Sequence, residues 1–146
     1  MELLLQTRKN FLNIINNHSI DELNAIPKGF NNSILWNFGH SLVVQQLLCY
    51  KLSGLPMHAS DEIVELFKKG SSASPVSETI VNELKALAIE SISQLEADIK
   101  ANIFRNYTEY TTSYGYTLSN IANAIEFNTV HEGLHLGYAM AMRKCF

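Results

Sequence analysis

Three histidines give this chain of 146 residues its most specific chemistry. Two of them stand four apart in His131-Glu132-Gly133-Leu134-His135. A helix turns about 100° per residue, so positions i and i+4 share a face. The third, His40, ends the segment Asn37-Phe38-Gly39-His40 far upstream. If its helix packs against theirs, three imidazoles converge in one pocket. Three protein nitrogens with positions left open form the donor set of a catalytic metal ion.

The pentapeptide also fits the H-E-x-x-H pattern of zinc proteases, where the glutamate activates a metal-bound water. Those enzymes take their third ligand downstream, yet the eleven residues after His135 include no His, Asp or Glu. The helical pattern also offers no edge strand to a peptide substrate, so a protease is not expected. Glu132 lies about 60° from His135 around the helix. It serves either as a base near the metal or as a solvated flank.

The helix faces around these histidines are apolar with a polar middle. Ala124, Phe127, Asn128, Leu134, Tyr138 and Met142 fall on the face of His131 and His135, and Ser33, Trp36, Asn37, Val43, Val44 and Leu47 on that of His40. A buried polar cluster costs free energy unless satisfied, and bundle cores are common places for metal sites. Asn37, Asn128 or a backbone carbonyl are candidates to fix histidine tautomers, and Asn37 and Asn128 are also candidate pocket lining. Trp36 and Tyr138, with Tyr107, Tyr110, Tyr114 and Tyr116, are candidate pocket walls; each suits plain packing equally well. His18 and His58 sit near expected loops and read as solvated. Cys49 and Cys145 make no disulfide framework and read as inert thiols, which places the chain in a reducing cytoplasm.

The elements that must position these residues are helical. Leu3, Leu4, Phe11, Leu12 and Ile15 mark a first helix over Glu2–Asn17. Ser19-Ile20-Asp21-Glu22 forms a capping box before Pro27. A second long helix covers Ser33–Ser53, stopped by Gly54 and Pro56. A short helix opens at Ser60-Asp61-Glu62 and closes at Lys68-Lys69-Gly70. Ser74-Pro75 caps and starts a third long helix, Pro75–Ala101, striped by Ile80, Leu84, Leu87, Leu95 and Ile99. Phe104 to Tyr116 breaks the pattern. Thr117 or Ser119 caps a fourth long helix, Leu118–Lys144. Four long amphipathic helices in 146 residues make one all-α domain, residues 1–146, a four-helix bundle. Connections of about 15 to 25 residues exceed what antiparallel hairpins need, so at least one connection crosses between non-adjacent helices.

Composition narrows the function. The 47% hydrophobic content is enough for a core. A net charge of −3 without a basic stripe argues against nucleic acid. Polar residues interrupt every apolar stretch short of a membrane span, and the first residues lack the form of a signal peptide.

Trp36-Asn37-Phe38-Gly39-His40 and Phe127-Asn128-Thr129-Val130-His131-Glu132-Gly133-Leu134-His135-Leu136-Gly137 together resemble the DinB-like (DinB/YfiT) family of small bacterial metal-binding bundles. The likeness extends over essentially the whole chain. The family pattern is one histidine in the second helix and a His-xxx-His pair in the last, often with a glycine two residues later, as Gly137 is here. The resemblance implies an up-down-down-up bundle, frequent homodimers, and His40, His131 and His135 as ligands of one divalent metal such as zinc or nickel. It also implies a small-molecule substrate. Some members resemble transferases and isomerases that use low-molecular-weight thiols, others are called hydrolases, and many have no known activity. Two readings follow. One is a metal-dependent enzyme acting through an activated thiol or water. The other is a non-catalytic metal-binding or stress-related bundle.

Overall fold

The computed structural model describes residues 1–146. Six α-helices carry the fold: α1 (Glu2–Asn16), α2 (Ile20–Asn24), α3 (Ile34–Cys49), α4 (Asp61–Phe67), α5 (Glu78–Lys100) and α6 (Ile121–Met142). The only sheet is a two-stranded antiparallel hairpin, β1 (Tyr110–Thr111) on β2 (Thr117–Leu118), which begins in the break after Phe104 and ends just beyond it. No helix is long and apolar enough to cross a membrane. The all-α bundle expected from the periodicity is what forms.

α3 is the central helix. Fourteen of its sixteen residues are buried, because α6, α4, α2, α5 and α1 all pack on it. A helix buried on every side has no solvated face, so the single apolar stripe expected around His40 understates its packing. α6 packs chiefly on α3 and α1, whereas α5 packs on α1 and α3. The two longest helices are consecutive but are not principal neighbours, and the segment joining them is the expected crossover.

Three boundaries differ from expectation for identifiable reasons. α5 starts at Glu78 after Ser77, not at Pro75. The Asn24 side chain accepts from the Val76 amide at 3.0 Å and donates to its carbonyl at 3.0 Å, which holds this stretch extended against α2. α6 is capped by Asn120, whose side chain accepts from the Asn123 amide; Thr117 and Leu118 are taken by the hairpin. α3 ends at Cys49, and Lys51–Ser53 continues only as a 3-10 turn before Gly54, whose φ of 70° suits glycine.

The face of α1 is also rotated from the expected one. Leu4, Arg8, Phe11 and Ile15 point inward, while Leu3 is exposed. Arg8 is fully buried, and each of its five N–H groups has an acceptor. Nε and Nη2 donate to Glu132 Oε2 and Oε1 at 2.7 and 2.6 Å. Nη2 also donates to Gln45 Oε1 at 3.1 Å. Nη1 donates to the Ala88 carbonyl at 2.9 Å and to Ser91 Oγ at 3.0 Å. One guanidinium thus joins α1, α3, α5 and α6.

Arginine stays charged even when buried, so removing its counter-charge leaves a bare cation in the core. Glu132→Gln should therefore cost about 3–5 kcal/mol in urea unfolding. Replacing both partners by apolar residues, Arg8→Met with Glu132→Leu, should recover a large part of that loss. A Glu132→Gln variant as stable as the parent would contradict this.

Candidate metal centre

The three histidines come together as the spacing suggests. Their donor nitrogens lie within 4.8 Å of one another, and His131 Nε2 stands 3.2 Å from His135 Nε2. Two ligands of one tetrahedral ion, each about 2.0–2.1 Å from it, stand about 3.3 Å apart, so this pair already has the required separation.

Each imidazole is held by its surroundings. Ser33 caps α3 by accepting from the Trp36 amide at 3.0 Å. Trp36 then stacks on His40, with centroids 4.5 Å apart and planes 10° from parallel, and its indole N–H donates to Ser71 Oγ at 3.0 Å. His40 Nδ1 lies 2.7 Å from the Phe67 carbonyl. A carbonyl only accepts, so Nδ1 carries the proton and Nε2 keeps a free lone pair. Phe67 reaches this position because residue 39 is glycine: a methyl group there would collide with its ring.

His135 is oriented by a two-step relay. Asn37 Nδ2 donates to the Ser33 carbonyl at 2.8 Å, which turns Asn37 Oδ1 toward His135 Nδ1 at 2.7 Å. His135 is therefore protonated on Nδ1 and also offers Nε2. His131 packs beside Phe127, with centroids 5.8 Å apart. Its Nδ1 is buried without a partner. The donor set, its tautomers and its spacing fit a divalent metal that accepts nitrogen ligands.

Two cavities meet at His135. One, of about 450 Å³, is lined by all three histidines together with Trp36, Phe127 and Tyr110. The other, of about 370 Å³, is lined by His135, Asn37, Tyr138, Phe30 and neighbouring asparagines. Trp36 is thus a wall of the first cavity, and Asn37 and Tyr138 belong to the second. Asn128 lines neither: it is fully buried and donates to Glu132 Oε1 at 2.8 Å. Of the four loop tyrosines only Tyr110 lines the first cavity. The Tyr107 hydroxyl is spent on the Leu48 carbonyl and that of Tyr116 on Glu126, and Tyr114 is exposed.

Glu132 requires a correction. Neither expected role, base at the metal or solvated flank, fits the geometry. The residue is fully buried, lines neither cavity, and spends both carboxylate oxygens on Arg8 and Asn128. His58 is exposed, as expected, with one ring edge against Tyr50 at a centroid distance of 4.7 Å. Cys49 is fully buried, and burial pushes its thiol up to about 12, which leaves it inert.

Sequence reasoning missed Arg8, Gly39 and Phe67. Arg8 had a readable signal, since Leu4, Arg8, Phe11 and Ile15 share one helical face. The contact between Gly39 and Phe67 spans two elements and leaves no mark in local periodicity.

Burial holds all three imidazoles neutral. It is the first cause of the depression of His131 to about 4 and of His135 to about 3, with the neighbouring histidines adding to it. Burial also lowers His40, partly opposed by its bond to the Phe67 carbonyl, while the charge of Lys69 lowers it further. A folded value below the unfolded value of about 6.5 means that the unfolded chain takes up protons first as pH falls. The metal-free protein should keep its stability above about pH 6.5 and lose it as pH drops toward 4 and then 3. Urea midpoints measured across that range should show the decline, and His131→Gln with His135→Gln should flatten it. A midpoint that rises on acidification would contradict the burial argument.

No curated protein matches the chain. A family model described as the DinB superfamily matches residues 3–139, a span that holds Arg8, Glu132 and all three histidines. The chain belongs to the DinB superfamily.

Proposed function

We propose that the protein is a metal-dependent enzyme in which His40, His131 and His135 hold one divalent ion, zinc or nickel. A small electrophile would enter the adjoining apolar cavity and be attacked there by a thiol or by water. The observation that carries this reading is the setting of the three imidazoles. They border a cavity of about 450 Å³ that no further His, Cys, Asp or Glu lines. A closed structural zinc site would have four protein ligands. When bound, the ion would supply positive charge that lowers the pKa of a thiol or water beside it.

The chain's own residues perform the rest. Phe67 and Asn37 keep the Nε2 lone pairs of His40 and His135 exposed to the site. Trp36 and Phe127 exclude water from the wall and offer aromatic faces to an apolar substrate. No carboxylate lines the cavity and Glu132 is committed to Arg8, so no Asp or Glu is placed to act as a base toward water. This favours a nucleophile that ionises near neutral pH. A thiol, with an ordinary pKa of about 8.5, needs only a small further lowering to ionise at neutral pH, whereas water starts from about 15.7 and depends wholly on the ion. The reading is therefore a thiol S-transferase using a low-molecular-weight thiol, with hydrolysis second. A cytoplasmic setting, where small thiols stay reduced, suits this chemistry.

A homodimer is part of the same proposal. Val130, Gly133, Leu134, Gly137, Tyr138 and Ala141 form an exposed apolar stripe along α6, and its glycines allow close approach of a second copy. A protein that sediments as a monomer at all concentrations would remove this part.

The test of the activity is conjugation of small thiols to a panel of electrophiles, beside ester and amide hydrolysis, with and without added metal. The proposal expects metal-dependent thiol conjugation that His135→Ala abolishes. If the loaded protein does nothing that His135→Ala does not also do, the non-catalytic metal-binding or stress-related bundle is the better reading.

A further inference from the structure

The cavity beside the histidines carries two charges that the proposed chemistry does not use. Lys51, in the 3-10 turn after α3, and Lys69, two residues beyond Phe67, both line it. Neither is among the residues that form ion pairs. No Asp or Glu lines the cavity, although the whole chain has 14 acids against 11 Lys and Arg. The positive sign is therefore local and opposite to that of the molecule. The other lining residues are largely apolar, with Val44, Leu47, Leu48 and Leu52 beside Trp36 and Phe127. Tyr110, Thr112 and Ser113 bring three hydroxyls to the lining, of which that of Thr112 is spent on the Tyr116 carbonyl.

We infer that the cavity takes a small apolar molecule bearing an anionic group, a carboxylate, sulfonate or phosphate. The anion faces Lys51 and Lys69, and the apolar body lies along the leucines and the two aromatic rings. The inference rests on this cavity being the ligand chamber of the metal centre. Apolar walls favour an apolar body through the area they remove from water. Lys51 and Lys69 are both exposed, at the open side of the cavity. Their pull on an anion is therefore modest singly and screened by salt, and it is their pairing beside apolar walls that selects the ligand. The same charges disfavour cationic ligands.

The test uses the metal-free protein and three probes of one shape: phenylbutyrate, phenylbutanol and phenylbutylamine. Calorimetric titration should find the acid bound about tenfold more tightly than the alcohol, with the amine weakest. The preference should shrink as salt is added. In the double variant Lys51→Met with Lys69→Met, which keeps the apolar stems, the acid should fall to the affinity of the alcohol. The affinity of the alcohol and the metal content after loading should not change.

Equal affinity for acid and alcohol in the parent, or a preference that survives the double variant, would overturn the inference. His135→Ala separates it from the metal reading. There the preference for the acid should persist even though metal binding is lost. A preference lost in His135→Ala but kept in the lysine variant would place the anion at the histidines and also overturn the inference. Failure of metal binding in the parent, with the lysine-dependent preference intact, would instead count against the proposed enzyme alone.

Discussion

A buried ion pair fixes the arrangement on which this site depends. Arg8 and Glu132 are both wholly removed from solvent, and water no longer screens their charges. That is tolerable only because every N–H of the guanidinium has an acceptor and the carboxylate has a further donor in Asn128. The pair also sets the rotation of α6 about its own axis. With Glu132 pinned toward Arg8, His131 lies about 100° and His135 about 60° to the same side of it. Both imidazoles then lie on one flank of Glu132, the flank that meets His40 on α3.

A second tier of contacts gives the histidines their chemical form. Backbone and amide oxygens take the Nδ1 protons of His40 and His135, and burial keeps the rings uncharged. Neutral imidazoles with free Nε2 lone pairs are what a metal ion needs. This tier is built from short-range features of α3: its Ser33 cap, the Asn37 side chain one turn later, and the glycine that admits Phe67. The site is thus largely organised by one helix and completed by another.

The histidine cluster was legible because its information is local. An i, i+4 pair and a third histidine on another apolar helix need only the period of the helix to be read. The long helices were legible for the same reason. Glu132 was misread because its partner lies 124 positions away on α1, and a charged residue inside an apolar stripe looks like a solvated edge until that partner is known. The start of α5 was misplaced because Ser74-Pro75 carries a good local signal, which Asn24 overrides through contacts with Val76. In sequence, Lys69 reads as one of the bases that close a short helix and Lys51 as an ordinary member of the second long helix. Only the fold shows that both line one cavity.

The central claim is that His40, His131 and His135 together hold a single metal ion. Elemental analysis of protein loaded with zinc or nickel and then dialysed tests it most directly, applied to the parent and to each single histidine-to-alanine variant. The account predicts one ion per parent chain and a steep loss in all three variants, with the helical content unchanged. Full occupancy in any one of them would contradict it.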